Sequence, residues 1–141
     1  YARESGMLTL ADDSGLEVEA LGGEPGILSS RYAGEGATDA QRIALLLRNL
    51  GNVPERDRVA RFVCVIALAR PGRPVELYSG GCRGRIVAAS RGRDGFGYDP
   101  VFLLPETGKT IAELSPEEKN LISHRSDAAR KALSALRDMA P

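Results

Sequence analysis

The sequence predicts a single mixed α/β domain, and three observations indicate it. The chain has 141 residues, which is enough to bury one hydrophobic core but too few for two ordinary domains. Apolar runs typical of strands occur between segments whose apolar residues recur at helical spacing. Residues that commonly cap helices stand at the starts of those segments. Strands and helices mixed along one chain in this way predict an α/β fold.

The first apolar run, Leu8 to Leu10, predicts a short buried strand at the start of the stretch LADDSGLEVEAL. Asp12 and Asp13 would then lie at the carboxyl end of that strand, where ligands of open α/β sheets bind. Two neighbouring carboxylates are costly to bury without a cation beside them, and their hard oxygens suit Mg²⁺. The alternative is a solvated turn, because Asp, Ser and Gly all favour turns.

The segment that starts at Thr38 predicts the most regular helix. Thr38 and Gln41 have the spacing of a capping box, and Gly51 suits the position just after a helix end. Between them, apolar residues recur at helical spacing: Ile43, Leu46, Leu47 and Leu50. This pattern predicts a helix with one buried face.

Three further segments predict strands. The run from Arg61 to Arg70 is almost continuously apolar, which predicts a strand covered on both faces. Glu76 to Ser79 and Arg85 to Ala88 would form a hairpin, joined by a turn at Gly80-Gly81. Val101 to Leu104 predicts a short strand.

The loop GFGYDPVF, Gly95 to Phe102, combines glycines with aromatic residues. Gly95 and Gly97 would leave space beside the Phe96 ring, so that a flat base could stack there. Such stacking contributes about 1 to 3 kcal/mol and depends little on the identity of the base. Asp99 is near enough in sequence to accept hydrogen bonds from a purine edge. The alternative is a glycine turn whose aromatic residues plug the edge of the core.

Near the carboxyl terminus, Ser115 followed by a proline and acidic residues predicts a helix start. Lys119, His124 and Arg125 would lie on different faces of one continuous helix, since each residue turns the chain by about 100°. If the chain turns near Ser123, the three could converge on one anionic or carbonyl-rich ligand. The alternative is a charged, solvated helix.

Composition excludes several functional classes. Nineteen Lys and Arg residues balance nineteen Asp and Glu residues, so no general field attracts nucleic acid or an anionic membrane. The apolar runs are far shorter than the roughly 20 residues that cross a bilayer, and no signal-peptide pattern opens the chain. We therefore expect a cytoplasmic protein without nucleic-acid or membrane partners. Cys64 and Cys82 lack metal-ligand spacing, which predicts reduced structural residues.

Three stretches together resemble one family: ADDSGLEVEALGGEPGILSSRYAG, GFGYDPVF, and the segment from GKTIAEL through EEKNLISHR. They are similar to the Ham1-type inosine triphosphate pyrophosphatases, also called dITP/XTP pyrophosphatases. The resemblance covers nearly all of the chain. It implies an α/β fold with an elongated mixed β-sheet, flanking helices and two lobes around a cleft, as in the Maf/Ham1-like proteins. It also implies a homodimer, Mg²⁺ dependence, and hydrolysis of non-canonical purine nucleoside triphosphates (dITP, ITP, XTP) to the monophosphate and pyrophosphate.

The resemblance also assigns roles to individual residues. Asp13 matches the family's catalytic, metal-associated carboxylate and proton acceptor, and Asp12 matches its acidic metal-binding neighbour. The remaining matches are substrate contacts: Ser14, Phe96, Gly97, Tyr98, Asp99, Lys119, His124 and Arg125. Among these, Phe96 is implied to be the stacking ring, and His124 and Arg125 are implied to face the base.

One part of the family pattern has no counterpart before Asp12. The family begins with a strand and a loop of the kind T-x-N-x-G-K, which holds the triphosphate, and it supplies a metal-associated Glu. We therefore expect residues 1–141 to form a single pyrophosphatase domain that lacks this amino-terminal strand and phosphate-binding loop. Two alternatives stay open: a nucleotide-binding fragment without catalysis, and a Maf-like nucleotide pyrophosphatase of other specificity.

Overall fold

The computed structural model describes residues 1–138, which form one six-stranded sheet with helices packed against it. The strands are β1 (Thr9–Val18), β2 (Pro25–Gly26), β3 (Val59–Ala69), β4 (Glu76–Ile86), β5 (Phe102–Leu104) and β6 (Lys109–Thr110). The helices are α1 (Ala2–Ser5), α2 (Asp39–Leu50), α3 (Pro116–Ile122) and α4 (His124–Asp138). The predicted α/β class with flanking helices is confirmed.

The sheet has the strand order β2-β1-β3-β4-β5-β6, and each described pair of neighbours is antiparallel. The long strands β1, β3 and β4 form its centre. Short 3-10 helices connect several elements: Glu19–Leu21, Ser29–Arg31, Glu55–Asp57, Asp99–Val101 and Ile111–Glu113. Within residues 1–138, no helix has the length and apolar character that a membrane span requires.

The acidic motif lies inside β1, so the prediction that it follows a buried strand is wrong. Asp12 and Asp13 pair in regular register with residues of β3. Leu8 and Leu10, the expected buried residues, are 49% and 54% exposed. Continuous pairing with β3 overrides the turn preference of Asp and Ser, because strand propensity depends strongly on context. Among the described strands, β2 pairs with β1 only near Leu16, so the first half of β1 has a partner on one edge only.

The predicted hairpin at Gly80-Gly81 is also wrong, because β4 is one continuous strand through both glycines. Gly80 instead provides space for α4 to pack against β4. A Cβ atom there would collide with the backbone of His124 and Ala128 in α4. The missing side chain lets α4 pack closely on the sheet, which fixes the position of the first residue of α4.

The core lies mainly on one face of the sheet. In β3, alternate residues are buried, and those between them are mostly half-buried. The expected coverage of both faces of β3 is therefore wrong, since an antiparallel sheet commonly packs only one face fully. One cluster of buried residues joins the sheet to α2 and includes Leu16, Leu46, Phe62, Ile86 and Phe102. A second joins β3 to α4 through Cys64, Ile66, Leu68, Ala128 and Ala132.

The helix predictions agree with the structure. In α2, the Thr38 hydroxyl accepts from the Gln41 amide, and the Gln41 side chain accepts from the Thr38 amide. A second capping box starts α3 at Ser115, and the chain breaks at Ser123 before α4 begins. The turn near Ser123 that the convergence of Lys119, His124 and Arg125 requires is therefore present. Cys64 and Cys82 are both buried and not disulfide-bonded.

Candidate functional site

A cleft of about 540 Å³ opens between β1, the start of α2, the glycine-rich loop and the break between α3 and α4. The substrate contacts implied by the sequence all line it: Ser14, Phe96, Gly97, Tyr98, Asp99, Lys119, His124 and Arg125. The structure therefore brings residues from three distant stretches to one place. Asp12 and Asp13 lie on β1 next to the cleft but are not among its lining residues.

The loop at the centre of the cleft depends on its glycines. Gly95 and Gly97 have φ values of +82° and +62°, a conformation that glycine adopts readily. A Cβ atom on Gly95 would collide with the Asp99 carboxylate. That carboxylate accepts a hydrogen bond from the Phe96 amide, with an N to Oδ2 distance of 3.0 Å. The folded loop leaves the Phe96 side chain 62% exposed, so a flat group has access to its ring.

Asp99 holds Lys119 as well as the loop. The Asp99 side chain is almost fully buried, and Lys119 Nζ lies 2.5 Å from its Oδ2 atom. The same ammonium lies 4.6 Å from the centroid of the Phe96 ring, which is within cation–π distance. In this structure Asp99 organises the loop and the neighbouring cation. A hydrogen bond from Asp99 to a purine edge stays a prediction.

Phe96 and Tyr98, the aromatic residues on either side of Gly97, differ in environment. Tyr98 is buried, and its hydroxyl donates to the Ser29 carbonyl at 2.8 Å. Burial raises the pKa of Tyr98 to about 12, so the phenol stays protonated. Ser29 is fixed in turn, because its hydroxyl accepts from the Leu16 amide. The core-plugging alternative thus describes Tyr98, whereas Phe96 faces the cleft.

His124 begins α4 and stacks on Phe62 in β3, with ring centroids 4.9 Å apart and an angle of 16° between the planes. Burial, assisted by the neighbouring Arg125 charge, lowers the pKa of His124 to about 4. The imidazole is therefore neutral at pH 7, with one donor and one acceptor nitrogen. Its Nδ1 atom is buried and has no hydrogen-bond partner within the described residues.

Arg125 connects α4 to β1. Its Nε atom donates to Asp12 Oδ2 at 3.1 Å, and its guanidinium also reaches the Ser14 hydroxyl at 3.4 Å. Successive side chains of a strand alternate between faces, so Asp12 and Ser14 share a face and Asp13 lies on the other. Asp13 Oδ1 accepts from the Ser14 amide. The cation beside Asp12 in this structure is therefore Arg125, and Asp13 lies away from it.

The described residues fit a metal ion only in part. No cluster of three or more His, Cys, Asp or Glu side chains among residues 1–138 could hold one. Mg²⁺, however, often binds one or two carboxylates and takes its other ligands from water and substrate phosphates. Asp13 is exposed and makes no ion pair in the described chain, which fits that mode. Asp12 is already paired with Arg125.

Asp39 and Arg42 line the cleft although the sequence did not reveal them. Asp39 Oδ2 accepts from the Gly97 amide at 2.7 Å, and its Oδ1 accepts from Arg42 at 2.6 Å. The hydrogen bond from Arg42, with that from Gly97, lowers the pKa of Asp39. An acid in the first turn of a helix is common, because it interacts favourably with the helix dipole. Because the helix dipole alone explains an acid at this position, the sequence gives no sign that Asp39 also binds the Gly97 amide.

Comparison with known proteins identifies the family. Residues 1–135 match the Ham1 family, and the chain therefore belongs to this family. It is 61% identical over 122 residues to a dITP/XTP pyrophosphatase of Geobacillus kaustophilus, covering 86% of this chain and 60% of that protein. A dITP/XTP pyrophosphatase of Desulfotalea psychrophila is 51% identical over 140 residues, covering 99% of this chain and 60% of the relative.

A solved structure of the Staphylococcus aureus Ham1 protein superposes with a TM-score of 0.94 at 45% identity, covering 99% of this chain and 71% of that one. The predicted resemblance and fold are confirmed. The chain spans about 60% of the length of the Geobacillus and Desulfotalea relatives.

Proposed function

We propose that the protein hydrolyses dITP, ITP and XTP to the nucleoside monophosphate and pyrophosphate, and thereby cleanses the nucleotide pool. The observation that carries this proposal is the single cleft that gathers an exposed aromatic ring and cationic side chains: Phe96, Lys119 and Arg125. An aromatic ring can stack against a base, and cationic side chains can bind phosphates and carbonyl oxygens. The names of the relatives, dITP/XTP pyrophosphatase, agree with this chemistry.

The base is proposed to stack on Phe96. The cleft volume of about 540 Å³ lies within the range of small-molecule sites. Because Lys119 lies against the Phe96 ring, it adds positive charge where a carbonyl-bearing base or a phosphate would bind. Stacking supplies affinity with little selectivity, so selection must come from polar groups.

Selection is proposed to come from His124 and Arg125. A purine with an oxygen at position six can accept hydrogen bonds from these donors. An adenine amino group cannot accept them, and the donors would stay unpaired in a desolvated site. Ser14, which the Arg125 guanidinium reaches in this structure, is the proposed further contact to the substrate.

The proposed reaction is attack of water on the α-phosphorus. The new bond joins the water oxygen to that phosphorus, the bond to the bridging oxygen of the β-phosphate breaks, and pyrophosphate leaves. The water proton goes to the carboxylate of Asp13. Asp13 would hold Mg²⁺, which offsets negative charge on the phosphates when bound. Asp12, the proposed second ligand, lies on the other face of β1 and pairs with Arg125, so its side chain would have to turn toward Asp13 to share the ion. Arg125 would stay close to Asp12 and orient it.

Pyrophosphate release tests the proposal. The intact protein, supplied with magnesium, should hydrolyse ITP, dITP and XTP much faster than ATP or GTP. Chelation of the metal with EDTA should remove the activity, and added magnesium should restore it. Equal rates on ATP and ITP would contradict the proposed specificity.

A nucleotide-binding protein without catalysis is the second candidate. It is favoured by the ion pair between Asp12 and Arg125, which occupies one of the two proposed metal ligands. Calorimetric binding of ITP without pyrophosphate release would support this candidate over the enzyme. Membership of the Ham1 family argues against the Maf-like alternative.

We also propose that the protein is a homodimer and acts in the cytoplasm, as the family resemblance implies. Light scattering of the purified protein tests the first point, and cell fractionation tests the second. A monomeric mass at micromolar concentration would contradict the proposed dimer.

A further inference from the structure

The apex of the glycine-rich loop is held by the first residue of α2. Asp39 Oδ2 accepts from the Gly97 amide at 2.7 Å, although the two residues are 58 positions apart. Gly97 lies between Phe96, whose ring is exposed in the cleft, and Tyr98, whose ring is buried. This one hydrogen bond therefore acts on the backbone that connects the two aromatic residues.

Asp39 is itself fixed from the other side. Its Oδ1 atom accepts from Arg42, whose side chain is only 17% exposed. Arg42 also donates to the carbonyls of Ala37 and Ser30, at 2.6 and 2.9 Å. Each oxygen of the carboxylate thus has its own partner, and the side chain has little freedom to rotate.

Helix capping does not explain this arrangement. The capping box of α2 consists of Thr38 and Gln41, which satisfy each other's amides. A favourable interaction of Asp39 with the helix dipole would need no contact with the loop. The Asp39 carboxylate is therefore not needed for capping and is available to bind the loop.

We propose that Asp39, supported by Arg42, is a positioning residue that orients the Phe96 ring for stacking against the base. The role rests on the proposed function, because it presupposes a nucleotide in the cleft. Two further hydrogen bonds hold the residues on either side of Gly97: the Phe96 amide donates to Asp99 within the loop, and the Tyr98 hydroxyl donates to the Ser29 carbonyl. Without the Asp39 contact, glycine at the apex would sample many backbone conformations.

The expected signature is loss of affinity without loss of base selectivity. In Asp39→Ala, KM should rise roughly 10- to 100-fold, the range that a small misplacement of a binding group produces. The rise should be equal for ITP and ATP, because stacking does not read the base, and kcat should stay close to that of the wild type. Asp39→Asn, which keeps an oxygen acceptor, should lie between Ala and wild type.

Asp127→Ala is the matched control. Asp127 lies in the first turn of α4, accepts from the Gly81 amide at 3.2 Å and pairs with Lys131 at 3.0 Å. It has the same kinds of contact as Asp39, but it does not line the cleft. Its loss should lower Tm and leave KM within about twofold of the wild-type value. An equal rise of KM in both alanine variants would overturn the proposal.

Hydrogen exchange of the Gly97 amide separates this inference from the proposed function. Exchange should be faster in Asp39→Ala than in the wild type and unchanged in Asp127→Ala, whether or not the protein turns over ITP. If the wild type releases no pyrophosphate, the proposed function fails, and the Kd for ITP replaces KM as the test. Unchanged Gly97 exchange, or unchanged KM and Kd in Asp39→Ala, would refute the positioning role.

Discussion

The Phe96 end of the cleft and the acidic pair beside the cleft are built differently. At the ring end, two carboxylates, Asp39 and Asp99, accept hydrogen bonds from the backbone amides of the loop around Phe96, and Asp99 also pairs with Lys119. At the acidic end, Asp12 and Asp13 are exposed on β1, and their side-chain hydrogen bonds within residues 1–138 are with Arg125 and the adjacent Ser14 amide. Carboxylates thus order a binding loop at one end and stay accessible at the other.

This difference separates two physical tasks. A binding surface gains affinity when its groups are already ordered, because less entropy is lost on association. Carboxylates that accept a proton or a cation need contact with solvent and ligand, and burying them unpaired would be costly. The ring end is therefore expected to control affinity and the acidic end to control turnover.

The largest effect should come from Asp13→Asn, which keeps the size of the side chain and removes its charge. Turnover should fall at least the roughly 100-fold typical of a lost general base, with little change in KM or Tm. Glu17→Gln is the control, since Glu17 is another acid of β1 and pairs only with Arg61. Near-normal kcat in Asp13→Asn would show that Asp13 has a structural role. It would contradict the proposal that the acidic end controls turnover.

Phe96→Ala tests the ring end. Loss of about 1 to 3 kcal/mol of stacking should weaken ITP and ATP by similar factors, roughly 5- to 100-fold in kcat/KM. Leu121→Ala is the matched control, because Leu121 is 74% exposed on α3 and does not line the cleft. A change in the ratio of ITP to ATP in Phe96→Ala would show that the ring also reads the base.

Arg125→Ala sharpens the comparison, because Arg125 lines the cleft and also pairs with Asp12. Arg125 is a donor that the adenine amino group cannot accept from. Its removal should lower the ratio of kcat/KM for ITP to kcat/KM for ATP roughly tenfold. Arg130 is an exposed arginine of the same helix whose one ion pair within residues 1–138 is with Asp127, so Arg130→Ala should leave the ratio unchanged. If Arg125→Ala also leaves it unchanged, Arg125 acts through Asp12 or through phosphate instead of the base.

The last prediction concerns the effect of pH on stability. The pKa of His124 is lower in the folded protein, about 4, than its ordinary value of 6.5. The unfolded chain therefore binds more protons between these values, and the free energy of unfolding should fall as the pH falls through this window. The slope from this group is at most about 1.4 kcal/mol per pH unit.

Urea unfolding at pH 7, 6 and 5 measures this slope, and His124→Asn should reduce it. If the free energy of unfolding depends on pH equally in the variant and the wild type, a group other than His124 titrates in this range. Asp39 does not interfere, because its lowered pKa makes it lose stabilisation only below its ordinary value of 3.8.

Local sequence patterns were sufficient for the helices and for part of the site. The capping boxes at Thr38 and Ser115 fixed the starts of α2 and α3, because their hydrogen bonds join residues three positions apart. The break at Ser123 also rests on a local bond, because the Ser123 hydroxyl accepts from the Ser126 amide. The clustering of Ser14, Phe96 and His124 in one cleft agrees with the three motifs that the sequence singles out.

Only the tertiary structure determined the rest, because those features depend on contacts between distant residues. Gly80 lies inside a strand because α4 packs against it, and a pair of glycines alone predicts a turn. Asp12 and Asp13 are strand residues because β1 pairs with β3 along its whole length. The second role of Asp39 comes from a hydrogen bond across 58 positions. Sequence determines the interactions that close within one turn, and packing decides which distant groups complete them.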